Sequence, residues 1–216
     1  MSEPDLRALE LAGGMDSPVR ILPAAAAPDR NHARAGNNGV RWFKSLGARD
    51  VEVVYVIDRA SAADEGLARS LREARLVYLP GGFPRHLGET LRSSPAWEAV
   101  LEAYEQGAVI AGSSAGAMVL CGHYYDPYEK KLLQGLNLLP DACVLPHHDT
   151  SGRSWAAALR GMLPEATLVG IDEATGIIRE GAAWTVHGAG QACLYLPGEA
   201  EGSQRSFARG QSFALP

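Results

Sequence analysis

The segment that most constrains the fold of this chain is Ala-Val-Ile-Ala-Gly-Ser-Ser-Ala-Gly-Ala-Met, residues 108–118. Residues 108–112 form an apolar, partly β-branched run that reads as a buried strand, and the small residues from Ala115 onward favour a helix. Nothing separates the two, so the chain must pass from strand to helix across one sharp turn at Ser114. Gly112-Ser113-Ser114-Ala115-Gly116 is the G-x-S-x-G pattern. Side chains two positions before and after the tip of such a turn would collide with their neighbours, and glycine at 112 and 116 removes that collision. A serine held there is a candidate nucleophile, with the Ala115 amide beside it as a natural oxyanion donor. A packing turn in which Ser114 merely caps the helix is the plainer alternative.

Around this segment strand-like and helix-like patterns alternate. Residues 8–12 and 19–23 read as short strands, residues 23–38 as loop, and Val40 with Phe43 as a helical face ending near Gly47. Residues 51–57 are a β-branched run, Leu67, Leu71 and Ala74 recur at helical spacing, and residues 76–79 form a short strand ending on Pro80-Gly81-Gly82. Ser94 and Pro95 mark a helix start, with Trp97, Val100, Leu101 and Tyr104 on one face and Gly107 past its end. Later runs at 142–145, 167–171, 176–179, 182–186 and 191–196 read as strands, with a helix around 155–163. Alternation of this kind predicts an α/β fold: a mostly parallel central sheet with helices on both faces, a three-layer sandwich, with an antiparallel edge supplied by the consecutive late strands. At 216 residues, one domain covering residues 1–216 is expected.

Composition narrows the function classes. A hydrophobic share of 46% and a charged share of 21% are those of an ordinary globular protein. The net charge of −5, with no run of Lys or Arg, argues against nucleic acid or an anionic membrane as the main partner. No apolar stretch has transmembrane length, and the start MSEPDLRALELAGG lacks the basic-then-apolar order of a signal peptide, so a cytoplasmic location is expected. Cys121, Cys143 and Cys193 form no CxxC pair or zinc spacing and read as buried thiols. His147 and His148 are adjacent, and neighbouring side chains rarely turn to one point, which argues against a metal site.

A serine nucleophile needs a general base, normally histidine, and an acid that fixes its tautomer. His32 falls in a polar loop, and His86 and His123 fall in helix or turn segments. His147 follows the run ending at Leu145 and His187 ends the run 182–186, so both would emerge at strand ends. Active sites of open parallel sheets gather at strand ends. The run ending at Ile171 is followed by Asp172-Glu173. The residues alone leave two assignments open: Ser114 with His147 and Glu173, or Ser114 with Asp172 and His187, an esterase-type arrangement. Leu79-Pro80-Gly81-Gly82-Phe83 offers a second oxyanion donor, because paired glycines after a strand let a backbone amide approach a ligand closely.

The combination resembles the peptidase E and cyanophycinase family of serine peptidases, whose fold is that of class I glutamine amidotransferase domains. The resemblance is carried by Gly81-Gly82 with Leu87 downstream, by residues 112–117, by Gly135-Leu136-Asn137-Leu138-Leu139-Pro140, by Pro146-His147, and by Gly170-Ile171-Asp172-Glu173. It implies Ser114 as nucleophile, His147 as base, Glu173 as orienting acid, and the Gly82 and Ala115 amides as oxyanion hole. It further implies a dipeptidase E-like hydrolase that needs no cofactor or metal and acts on short peptides with an acidic, aspartyl residue on the acyl side. A substrate carboxylate requires a cation; Arg153 is the candidate, and Arg160, off the apolar face of its helix, is expected to be solvated. Three features depart from the family pattern. Phe83 stands where a polar residue is common, no aromatic residue follows His147, and the arginine-rich run of cyanophycinases is reduced to Arg153 and Arg160. A non-catalytic binding protein on the same fold is the alternative of a different class. The oligomeric state, homodimer included, is left open.

Overall fold

The computed structural model describes residues 2–200 and 202–215, and these divide into two compact units, one comprising Asp5–Val119 and the other residues 2–4 with the described residues from Leu120 onward. In chain order the elements of the first are α1 (Ser2–Leu11, whose first turn belongs to the other unit), β1 (Val19–Ile21), α2 (His32–Ser45), β2 (Val51–Val53), α3 (Glu65–Arg72), β3 (Leu76–Leu79), α4 (Pro84–Leu91), α5 (Pro95–Glu105), β4 (Val109–Gly112) and α6 (Ala115–Val119). Its sheet is wholly parallel in the order β2-β1-β3-β4. Alternate strand residues Val19, Ile21, Leu76 and Tyr78 pack with Leu9 of α1 and Phe43 of α2 in one core. Their neighbours Val77 and Leu79 are equally buried, so the opposite face is covered too. Right-handed crossovers place α2 on one face and α3, α4 and α5 on the other, because the chain steps in opposite directions from β1 to β2 and from β2 to β3. The strand order therefore reverses between β1 and β3, which opens a crevice at their carboxyl ends.

The second unit contains β5 (His123–Asp126), β6 (Lys131–Gln134), β7 (Ala142–Pro146), α7 (Ala156–Met162), β8 (Thr167–Ile171), β9 (Thr175–Glu180), β10 (Ala183–Gly188), β11 (Gln191–Tyr195), β12 (Arg205–Ala208) and β13 (Ser212–Phe213). β7 and β8 are parallel, with Pro146 opposite Ile171, and α7 lies in the crossover between them. β11 adds antiparallel to β8 and β12 to β11, the antiparallel edge that the sequence indicates. A separate sheet runs β13-β10-β9, and β5 with β6 forms a hairpin. Leu145, Leu159, Leu168 and Cys143 are the centre of this unit's core. The chain is a mixed α/β fold, and its first unit is built around a wholly parallel sheet. Among the described residues no helix is long and apolar enough to cross a membrane.

Several expectations are corrected. Residues 8–12, read as a strand, lie mostly in α1, whose Ala8 and Leu9 meet the core at helical spacing. The segment 23–38, read as loop, holds a short 3-10 turn at Ala24–Ala26 and the first half of α2, so His32 opens a helix. The glycines of α2 are there for packing: a Cβ on Gly36 would come within 2.7 Å of Val53, and one on Gly39 within 2.9 Å of Ile21. The run 51–57 is a strand only to Val53, and His123 lies in β5. The helix around 155–163 is shorter, Ala156–Met162, and is entered through a 3-10 turn at Gly152–Trp155. Beyond the last run read as a strand, 191–196, the chain adds β12 and β13.

Candidate active site

Ser114 sits two residues past the end of β4 with φ of +49°, a left-handed conformation that a serine adopts only when its surroundings impose it. The surroundings are backbone at close range. A Cβ on Gly116 would lie 1.9 Å from the Leu79 carbonyl oxygen, and one on Gly112 would lie 2.5 Å from the Gly116 carbonyl carbon. Both glycines of the pattern are therefore sterically required. The Ser113 amide donates to Leu79 O at 3.0 Å, and the Gly116 and Met118 amides close the turn onto Ser113 O and Ser114 O. Behind the turn the Tyr78 hydroxyl shares a hydrogen bond with Ser113; burial, with the charge of Asp5 added, pushes this phenol up to about 12, so it stays protonated.

The Gly81-Gly82 turn after β3 reaches the same edge of the sheet. A Cβ on Gly81 would lie 3.0 Å from the Ser114 Cβ. Gly82 has φ of +144°, a Cβ there would strike Ala25 O at 2.3 Å, and the next amide, Phe83 N–H, donates to Ala25 O at 2.8 Å. The loops after β1, β3 and β4 thus meet at the crevice where the strand order reverses. The Ala115 amide, first in α6, lies outside the helical i→i−4 ladder and has no helical acceptor.

In the other unit, the register of β7 against β8 places the residues after both strands side by side. The His147 Nδ1 is 2.6 Å from Glu173 Oε1. A carboxylate only accepts, so this pair calls for a proton on Nδ1 and leaves Nε2 as the basic nitrogen. His147, like Ser114, is a non-glycine residue at positive φ, +53°. Its carbonyl accepts from the amides of Thr150, Ser151 and Gly152, which fold the chain back at once. The Glu173 amide donates to Asp149 Oδ1 at 2.9 Å. The rival pair is held elsewhere: Asp172 Oδ2 accepts from the Gln191 amide at 2.9 Å, and His187 Nδ1 faces Glu3 Oε1 at 3.6 Å.

Arg153 is exposed on the 3-10 turn after His147 and reaches Gln204 Oε1 at 3.4 Å. Arg160 is not solvated as expected. It is half-buried and donates to the carbonyls of Ala166, Tyr195 and Leu196, tying α7 to the ends of the strands. The three cysteines are buried and unpaired; burial pushes the Cys143 thiol up to about 12 and that of Cys121 higher still, so neither is a nucleophile. The residue that sequence reasoning missed is His148, 2% exposed, whose ring faces Asp172 Oδ1 at 3.4 Å and the Tyr195 hydroxyl at 2.8 Å. Its one signal was Gly170 inside a strand pattern, which marks a close approach.

Known proteins place the chain. Residues 9–187 match Peptidase family S51. The chain is 28% identical over 176 residues to the cyanophycinase of Geminocystis herdmanii (strain PCC 6308), covering 76% of this chain and 63% of that protein. It is likewise 28% identical over 201 residues to the cyanophycinase of Trichormus variabilis (strain ATCC 29413 / PCC 7937), covering 87% and 66%. It thus spans somewhat under two thirds of the length of these relatives. The crystal structure of a peptidase from an acI-B1 Actinobacterium superposes with a TM-score of 0.76 at 24% identity, covering 98% of this chain and 89% of that one, a likeness of fold. With most of its length matched, the chain belongs to Peptidase family S51, the serine peptidase family that its motifs resemble.

Proposed function

We propose that this protein is a serine peptidase that cleaves short peptides through an acyl-enzyme. Ser114 Oγ attacks the scissile carbonyl while His147 Nε2 takes its proton, and Glu173 holds the imidazole and stabilises its charged form. The Gly82 and Ala115 amides receive the oxyanion. His147 then gives the proton to the leaving amine, and water, activated by the same nitrogen, releases the acyl group from Ser114. The observation that carries this reading is the His147–Glu173 hydrogen bond at 2.6 Å, joined on two parallel strand ends by their register. It favours these residues over Asp172 and His187, which are engaged with other partners.

For the substrate we propose an aspartyl residue on the acyl side, its carboxylate met by Arg153. The exposure of Arg153 and its position six residues after His147 support this. Purified protein assayed against Asp-X, Glu-X and Ala-X dipeptides and cyanophycin tests both parts. His147→Ala should abolish turnover of whichever substrate is cleaved, and His187→Ala should leave it within a few-fold. The reverse would replace the base. Equal rates on the three dipeptide series would sink aspartyl specificity and leave the catalytic residues standing.

A further inference from the structure

The adjacent histidines face opposite ways, and only one of them belongs to the proposed chemistry. His148 is buried in a slot with three walls. On one side is bare backbone: a Cβ on Gly170 would lie 2.3 Å from the His148 Cδ2 and 2.7 Å from its Nε2, so only glycine leaves room for the ring. On the second side Asp172 Oδ1 faces Nδ1 at 3.4 Å, with that carboxylate itself fixed by the Gln191 amide. On the third, the Tyr195 hydroxyl meets Nε2 at 2.8 Å and the phenol ring packs edge-on against the imidazole. The Tyr195 hydroxyl also lies 2.9 Å from Gln204 Oε1, and Arg153 reaches that same oxygen. The His148 amide donates to Ile171 O, so backbone and side chain are held together.

The residues this slot holds are chain neighbours of the working pair: His148 follows His147, and Asp172 precedes Glu173. We propose that His148 is a positioning residue, clamped by Gly170, Asp172 and Tyr195, that keeps His147 in its strained left-handed conformation with Nδ1 on Glu173. The physical case is one of restraint. A non-glycine residue at φ of +53° is strained and persists only where neighbours over-determine it. The His147 side chain is 39% exposed, whereas the side chain one residue on is 2% exposed and locked on three sides. Without that lock the backbone at 147 relaxes and the imidazole swings off the carboxylate. A buried polar cluster left half-satisfied is costly, so the clamp also defines one arrangement rather than several.

The inference rests on His147 acting as the base, and the experiment separates the two. The rate of fluorophosphonate labelling at Ser114, measured by intact mass, reports the base without requiring the natural substrate. The far-downfield proton resonance of the His147–Glu173 hydrogen bond reports its geometry. In folded His148→Phe, which removes both polar contacts, labelling should slow about a hundred-fold, the loss expected of a base misplaced by about 1 Å, and the downfield signal should vanish. His148→Gln, with an amide that can reach both partners, should recover to within about ten-fold of wild type. A folded His148→Phe that labels as fast as wild type and keeps the signal would overturn the positioning role, as would a His148→Gln no better than the phenylalanine. Should His148→Phe not fold, Tyr195→Phe removes one hydroxyl at constant shape and should slow labelling several-fold; no change would overturn the proposal. A wild type that fails to label sinks the catalytic reading itself, whatever the variants do.

Discussion

Ser114 and His147 are two versions of the same local problem, solved differently. Each follows a strand ending in a parallel pairing, and each is a non-glycine residue at positive φ, +49° and +53°. At Ser114 the restraint is steric. Gly112 and Gly116 let the backbone of β3, the turn and α6 approach so closely that no atom can be added. At His147 the restraint is polar: three amides on its carbonyl, Asp149 on the Glu173 amide, and the buried ring of His148 between Asp172 and Tyr195. A turn held by contact is stiff in a way that survives pH and salt but fails on the smallest enlargement. One held by hydrogen bonds tolerates size better and fails when a donor or acceptor is removed.

That difference can be broken at either end. The largest effect is expected at the acid. Glu173→Gln should lower kcat about a thousand-fold, because the amide presents the wrong partner to Nδ1–H and the base loses its orientation. Asp172→Asn, which reaches His147 only through His148, should cost about ten-fold or less. The reverse ranking in steady-state assays would hand the orienting role to Asp172. Next comes the steric side: Gly116→Ala should cost about 3 kcal/mol of stability, read as a fall in the urea midpoint, since its methyl would overlap Leu79 O. A neutral Gly116→Ala would mean that the elbow is looser than its contacts imply.

The smallest effect sharpens the polar side. Burial holds His148 below its ordinary value of 6.5, against the opposing pull of Asp172, with Asp149 also favouring the charged form and Arg153 opposing it. Because the folded-state value is depressed, the unfolded chain binds the proton first as pH falls. The stability that neutral His148 contributes is therefore complete above the ordinary histidine range, and is lost as pH falls from there through the depressed value. Urea midpoints at about pH 7.5 and 5.5 bracket the ordinary histidine range, and the drop between them should be smaller in His148→Gln than in wild type. Equal drops would show that His148 does not carry that charge penalty.

The elbow was legible because its chemistry is local. A strand run, two glycines at fixed offsets and a helix start all lie within residues 108–118, and the steric reason for each glycine is a contact within the turn or with β3. The α5 helix was legible for the same reason, with Ser94 Oγ accepting from the Trp97 amide as its cap. The pairing of His147 with Glu173 was not fixed by the residues themselves: its two members lie 26 positions apart and meet through the β7–β8 register, so the sequence pattern alone allows His187 and Asp172 equally. His148 was harder still. Its partners come from β8, the residue just past β8, and β11, and the polar stretch that holds Gln204, the partner of the Tyr195 hydroxyl, gives no strand signal. Gly36 misled in the other direction, since the segment that holds it reads as loop, whereas it serves the close approach of α2 to Val53.

The central claim is that the serine at the tip of the elbow is an activated nucleophile. It is tested most directly by treating native protein with a fluorophosphonate and locating the adduct by intact mass and peptide mapping. The account predicts a single adduct on Ser114, absent after unfolding in urea and absent or strongly slowed in His147→Ala. A native protein left unlabelled, or labelled at Ser114 no faster than when unfolded, would contradict it.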